Sequence, residues 1–555
     1  MKKLFTLFCT LTVLSFFAQE PELVRHDYPG KDRYNKGNFK NLTVVGNTIF
    51  FVTNDGVIGN ELYKSDGTEA GTVLVKDIRP NANSSNPESL ISFKNELYFS
   101  ATDGSSNETG KTAAIWKSDG TEAGTVKIKN RIAIGGNKIV IDNILYFESN
   151  GTDSDENNAL WKTDGTEAGT VFVKVTDTKS ANFLANFTAF NNKLVFTGHN
   201  NNSGKELWIS DGTPEGTFMI KDINPGSAFE GSGISNITKV GNELFFIADD
   251  GTHGAELWKT DGTEAGTVLV KDIITGSTGS DLNYFRNVNG VLFFRANDGT
   301  HGIELWKSDG TEAGTIMVKD IRVGSVNFST NSSPTDLIAA GNTLYFIADD
   351  GLTGSELWKS DGTEAGTVLI KDSAPGRSGG ANNNTLVAYG GYIIYKGFSK
   401  EHGQEPWISD GTAAGTKMLK DINPGKFYEG KLQIARGRIT SNNIFYFTEY
   451  DGVNGSEPSL WKLNLNTLST TKETLNDVTK INIYPNPAQN IININVDNQQ
   501  IQEATIYNLL GKKVLQQSAK SSEIKQLNIS QLSRGMYVIQ LKTASNTYVS
   551  KVLKK

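Results

Sequence analysis

The stretch that decides the fold is ELWKSDGTEAGTIMVKDI, residues 304–321, whose first twelve residues recur unchanged at 356–367. The SDGT-type turn inside it occurs eight times, with its aspartate at Asp66, Asp119, Asp164, Asp211, Asp261, Asp309, Asp361 and Asp410. The spacings are 53, 45, 47, 50, 48, 52 and 49 residues, so a unit of one size repeats along the chain. All eight tryptophans keep the same register: Trp116, Trp161, Trp208, Trp258, Trp306, Trp358, Trp407 and Trp461, with Tyr63 in that place in the first unit. An apolar run upstream of each turn, such as IFFV at 49, LYFI at 344 or IFYF at 444, gives the same total. Both markers count nine units of about 50 residues, the period of propeller blades.

One unit, 337–372, divides into four strands: Leu337–Ala340, Thr343–Ala348, Glu356–Ser360 and Thr367–Lys371. Gly-Asn and Asp-Gly pairs separate them, and these residues accept the positive φ of hairpin turns at little cost. Leu357 and Trp358 are adjacent, so in a strand they point to opposite faces, and a sheet apolar on both faces needs cover on both sides. The ninth unit, around Trp461, supplies three strands and stops, whereas PELVRHDYPG at 21–30 repeats the fourth-strand pattern TFMIKDINPG of 217–226. An orphan fourth strand at one end and three orphan strands at the other complete one sheet. The reading is an all-β chain: a closed β-propeller over residues 19–466, nine-bladed by this arithmetic, with eight blades as the alternative if one unit is degenerate.

The composition agrees, with 57 Gly and 10% aromatic residues and no long amphipathic run at helical spacing. Residues 1–18 read as a secretory signal peptide, with Lys2 and Lys3 ahead of an apolar core. The one cysteine, Cys9, lies inside it, so no disulfide, thiolate metal site or cysteine nucleophile is expected in the mature chain. No later segment is apolar for long enough to span a membrane as a helix. The net charge of −7 is uneven: residues 19–479 carry −16 and residues 480–555 carry +7. An acidic middle argues against a nucleic-acid partner.

The repeated turn invites a functional reading as a calcium or ligand site in every unit. A calcium loop needs several oxygen ligands at close spacing, and this turn offers an Asp, a Ser and one Glu. Calcium is the one ion its oxygens would suit, but the turn reads as structural and no cofactor is expected. It resembles the Asp-box of sialidase-type propellers in placement and residue types, with a different residue order, and that resemblance also implies a structural role. The four histidines His199, His253, His301 and His402 fall in second-to-third loops of different units, too far apart to share a metal. The acids Glu256, Glu304 and Glu356 belong to the repeat, and no catalytic signature appears, so no catalytic residue is assigned. Repetition stops in the second-to-third loops and in the connections between units, such as INPGSAFEGSGIS at 223–235. That divergent loop face is where a ligand would be chosen.

The repeat resembles the ELWxxDGT repeat of secreted bacterial proteins, over roughly residues 41–463, a family that brings no settled activity with it. After a linker-like stretch at 467–480, residues 481–555 look like the type A sorting domain of the type IX secretion system. The motif positions are Tyr484, Pro485, Asn486 and Pro487, then Gly511 of NLLGKKV, then Gly535 and Tyr537 of RGMYVIQL, and the terminal lysines. Alternation in these runs independently suggests a β-sandwich of about seven strands. The resemblance implies export through the Sec and type IX routes of a Bacteroidetes-type cell, with the secretion machinery as partner. The leading expectation is a secreted or cell-surface, non-enzymatic propeller that binds a glycan or protein. A polysaccharide hydrolase or lyase acting at the channel mouth and a structural surface-matrix component are the alternatives.

Overall fold

The computed structural model describes residues 20–26, 39–81, 83–105, 113–149, 159–174, 184–200, 202–225, 231–323, 331–377, 379–424, 438–439, 442–449, 458–466, 481–496, 500–508, 513–519, 524–543 and 547–555. The expected signal peptide, the 467–480 linker and Gly511 lie outside them. The chain divides into two compact units, residues 1–468 and 469–555. Among the described residues every regular element is a strand and none is an α-helix.

Among the described residues the first unit holds nine four-stranded antiparallel sheets, numbered here 1 to 9 in chain order. Sheet 7 is representative, with strands Thr335–Ala340, Thr343–Asp349, Ser355–Ser360 and Val368–Lys371. These match the expected strands to within two residues at each end. In six sheets the first strand carries a bulge near its start, where one residue takes a positive φ: Asn41, Ser89, Asn186, Asn236, Tyr284 and Asp336. Sheet 9 is assembled from both ends of the unit. The N-terminal strand Glu22–Arg25 pairs antiparallel with Ser459–Asn464, Leu23 opposite Trp461, as the fourth-strand pattern at 21–30 anticipates.

Apolar residues on both faces of a strand are buried between sheets. Leu62 of sheet 1 joins Phe99 and Trp116 of sheet 2 in one cluster, while Tyr63 turns the other way, to Tyr446 and Leu460 of sheet 9. The same arrangement recurs at every step, with the tryptophan of one sheet seated against the leucine side of the sheet before it. Each tryptophan is nearly buried, and burial of large apolar side chains of this kind stabilises by roughly 1.5–3 kcal/mol apiece.

Polar latches run alongside these clusters. In eight sheets a lysine near the end of the fourth strand donates to the carbonyl just before the fourth strand of the next sheet. Lys76 reaches Thr125 O at 2.9 Å, Lys221 reaches Thr267 O at 2.8 Å and Lys371 reaches Thr416 O at 2.7 Å. In sheet 8, Lys420 reaches Pro21 O of the N-terminal strand at 3.2 Å. In sheet 9, Arg25 takes the lysine's place and reaches Thr72 O of sheet 1 at 3.2 Å.

Among its described residues the second unit contains seven strands in two sheets. Ile481–Tyr484, Ile491–Val496 and Gln526–Asn528 form one; Glu503–Asn508, Lys513–Ser518, Gly535–Lys542 and Thr547–Lys554 form the other. Ile492, Ile494, Ala504, Ile506, Leu527 and Ile539 share its core.

Candidate binding face

The sheets of the first unit present two kinds of end. At one end lie the SDGT turns. In sheet 7, Asp361 Oδ1 accepts the Thr363 amide at 2.8 Å and the Thr363 hydroxyl at 2.7 Å. Thr363 Oγ1 in turn accepts the Gly366 amide at 3.0 Å, and Thr367 Oγ1 donates to Thr363 O at 2.7 Å while meeting Ser360 Oγ at 2.7 Å. The same bonds occur around Asp66, Asp119, Asp164, Asp211, Asp261, Asp309 and Asp410. A Cβ on Gly366 would lie 2.0 Å from Asp361 Oδ1, which explains the glycine of EAGT. A Cβ on Gly67, at φ +91°, would lie 2.5 Å from the Tyr446 hydroxyl of the preceding sheet. Hydrogen bonds from the Thr363 side chain and amide hold the Asp361 carboxyl below its ordinary value, and the same holds at Asp66, Asp119, Asp164, Asp211, Asp261 and Asp309. Asp361 Oδ1 and the Ser360, Thr363 and Thr367 hydroxyls thus each have a partner within the turn.

The tryptophans sit in the apolar clusters between sheets. Trp116 Nε1 donates to Ala101 O at 3.3 Å. The indole nitrogens of Trp161, Trp208, Trp258, Trp306, Trp358, Trp407 and Trp461 are buried without a hydrogen-bond partner among the described residues.

At the other end, the second-to-third loops meet the connections between sheets. Arg322, just after the last strand of sheet 6, binds Asp349 at the loop of sheet 7 at 3.0 Å. His402, in the loop of sheet 8, binds Asp421, just after that sheet's fourth strand, at 2.9 Å. Both loop types therefore share one face, as the topology requires. His253 pairs with Asp250 and His301 with Asp298, each within its own loop, and both imidazoles are raised above their ordinary value by that hydrogen bond. No group of three or more metal-ligating side chains occurs among the described residues.

Beneath these loops lies a feature that the sequence pattern showed only as part of the repeat. Glu61, Glu206, Glu256, Glu304, Glu356 and Glu405 open their third strands and are fully or almost fully buried. Glu61 accepts the Ile78 amide at 3.1 Å, the Ser85 amide at 2.7 Å and the Ser85 hydroxyl at 2.5 Å, tying the end of one sheet to the entry of the next. An aspartate that follows the fourth strand adds its negative charge beside each of them: Asp77, Asp222, Asp272, Asp320, Asp372 and Asp421. Burial first, and this neighbour second, raise Glu61 and push Glu206, Glu256, Glu304, Glu356 and Glu405 up to about 7. Sheets 2 and 3 carry Ala114 and Ala159 at this position, and theirs are the long divergent loops. The buried acids clamp loops; they do not open onto solvent. What the loop face offers to solvent, among the described residues, includes the aliphatic tips Val57, Val323 and Leu352, each 70–78% exposed.

In the second unit, Asn486 Oδ1 accepts the Leu553 amide at 2.9 Å, and the Ala488 amide donates to Leu553 O at 2.8 Å. The YPNP segment is thereby clasped to the terminal strand. Tyr484 is exposed, Pro485 and Pro487 follow cis bonds, Gly535 opens its strand, and the Tyr537 hydroxyl donates to Ser533 O at 2.9 Å.

Comparison with known proteins supports this unit directly. Residues 482–555 match the family described as "Secretion system C-terminal sorting domain", so the chain carries the tail by which the type IX machinery handles its cargo for export to the surface or beyond. A curated relative, "Ulvan lyase NLR42" of Nonlabens ulvanivorans, is 30% identical over 115 residues, which is 20% of this chain and 20% of that one. Among solved structures, a puromycin hydrolase aligns at TM-score 0.35 and 14% identity, covering 66% of this chain and 59% of its own. The β-propeller domain of the Trilobed protease of Pyrococcus furiosus aligns at TM-score 0.30 and 12% identity, covering 69% and 98%. The chain spans a fifth of the curated relative and 59% of the puromycin hydrolase.

Proposed function

We propose that the nine sheets form a closed nine-bladed propeller that serves as a secreted or cell-surface binding scaffold, meeting a glycan or protein partner on its loop face. Closure is supported by the N-terminal strand in sheet 9, by the apolar cluster that sheets 9 and 1 share, and by the Arg25 latch onto Thr72. In this reading residues 1–18 are a Sec signal, 19–466 the propeller, 467–480 a linker and 481–555 the sorting domain.

One observation carries the binding role. The repeated acids at both ends of the sheets are engaged by the frame itself, turn aspartates through Oδ1 by threonines and buried glutamates by amides and serines. What differs from sheet to sheet is the outer layer of loops, and a face that varies on a constant frame is a recognition surface. The ulvan lyase relative favours a second reading, a polysaccharide lyase. It matches over a fifth of each chain, so that activity is the alternative to test.

The test is a glycan array and a surface-protein capture with the full secreted chain, run beside assays for new reducing ends and for unsaturated uronate absorbance. Saturable binding without product release is the expected result. Product release would move the chain to the enzyme reading, and neither binding nor release would leave a structural matrix component.

A further inference from the structure

We propose that Arg295 and Tyr284, at the loop-face end of sheet 6, anchor one carboxylate or sulfate group of a ligand. This deepens the binding role given above and rests on the loop face being the binding face.

Arg295 lies near the end of the second strand of its sheet, opposite Asn283, where the first strand begins its bulge. At the equivalent paired position other sheets carry Val52, Ser100, Thr197, Ile247 and Ile347. An aliphatic or hydroxyl side chain suffices there for packing, so the guanidinium is not a requirement of the fold. Sheet 8 also has a cation in this place, Lys396, but it lies beside Glu449 and Glu405. Arg295 forms no ion pair among the described residues, and its Nε is buried with no hydrogen-bond partner. A desolvated, unmatched donor on a cation is unfavourable for the fold, so packing alone does not account for the guanidinium at this position. In a chain whose residues 19–479 carry −16, an uncompensated arginine also stands out electrostatically.

Tyr284 is the second, independent observation. It occupies the bulge residue at φ +57°, where sheets 1, 2, 4, 5 and 7 have Asn41, Ser89, Asn186, Asn236 and Asp336. Asparagine and aspartate tolerate the left-handed region, whereas a bulky aromatic there is a genuine outlier. The side chains of Asn41, Ser89 and Asn186 donate across to the next sheet from this position, to Pro87 O, Gly135 O and Ile234 O. Tyr284 makes no such bond; Arg286 does that work instead, with Nε donating to Leu337 O at 2.8 Å. In exchange, the Tyr284 ring lies under the Arg295 guanidinium, 4.9 Å from ring centroid to Cζ, and packs on the cluster shared by sheets 6 and 7. Stacking orients the planar fork, which matches a two-oxygen anion. The acidic surroundings oppose a polyanion track, so the site suits one anionic group at a time.

The test titrates the full chain with sodium glucuronate, sodium sulfate and sodium acetate at constant ionic strength, with glucose as the uncharged control. Binding is read by calorimetry and by melting temperature. Saturable binding of at least one anion and none of glucose is expected. Arg295→Ile, the residue of sheets 5 and 7, should weaken it about tenfold or more. Tyr284→Asn should also weaken it while raising the melting temperature of the unliganded chain, since Asn relieves the backbone. No saturable anion binding, or binding unchanged in Arg295→Ile, overturns the proposal. An array partner bound equally well by Arg295→Ile would leave the scaffold role intact and remove this site alone. Arg295-dependent anion binding with no array partner would do the reverse.

Discussion

The two ends of each sheet treat a carboxylate in opposite ways. At the turn end, Asp261 is exposed and receives two hydrogen bonds from Thr263, which favour the charged form and lower its pKa. At the loop end of the same sheet, Glu256 is fully buried beside Asp272 and is pushed up to about 7. The residues are five apart in sequence, on one strand and the turn that follows it. The difference is desolvation: the turn lets water and local donors share the charge, while the loop end removes water and supplies a like charge. The turn arrangement occurs in eight sheets and the buried glutamate in six.

The turn end should tolerate the least change. Gly67→Ala places a methyl 2.5 Å from the Tyr446 hydroxyl at φ +91°, across the contact between sheets 1 and 9. Neither the backbone nor the tyrosine can yield cheaply, so a loss of about 2–4 kcal/mol is expected, read as a shift in the urea midpoint. An unchanged midpoint would mean that this contact is looser than the packing indicates.

The comparison also fixes a pH dependence. Asp66, Asp119, Asp164, Asp211, Asp261, Asp309 and Asp361 have lowered values, so their contribution to stability is present above the ordinary aspartate range and fades as pH falls through it. The buried glutamates are raised, so theirs is fully present below about 4.5 and is lost as pH rises through about 7. Stability should peak between these ranges and decline from pH 5 to pH 8. Glu256→Gln should shrink that decline by about a sixth, because five sister glutamates remain. A melting temperature that rises between pH 5 and pH 8 would show that the glutamates are not desolvated as described.

Much of this was legible in advance, for a physical reason. Alternating apolar residues and Asp-Gly turns are local signals, so the strands of sheet 7 and the fourth-strand pattern at 21–30 could be read directly. The seven strands of the second unit followed from the same alternation. Contacts between sheets were not legible, because a repeat marks recurrence without saying which neighbour a residue meets. That Gly67 faces Tyr446, or that Glu256 faces the Ser280 of the following connection, depends on packing between segments with no shared motif. The Arg295–Tyr284 pair was hidden for the opposite reason: both residues depart from the repeat, and a departure in one copy looks like drift until the other copies are superposed.

The smallest effect tests how evenly the turn end shares its load. Thr367 is fully buried; its hydroxyl donates to Thr363 O at 2.7 Å and meets Ser360 Oγ at 2.7 Å. Thr367→Val keeps the shape and removes the hydroxyl, leaving Ser360 Oγ with its remaining bond from the Gly362 amide at 3.0 Å. The expected cost is about 1 kcal/mol, one net hydrogen bond and part of a second. The same substitution at Thr315, which meets Ser308 Oγ at 2.8 Å and Thr311 O at 2.7 Å, should cost the same within about 0.5 kcal/mol. Equal costs in sheets 6 and 7 would mark the turn as interchangeable structure, joint by joint. A larger cost in one sheet would mean that its turn holds something beyond its own strands.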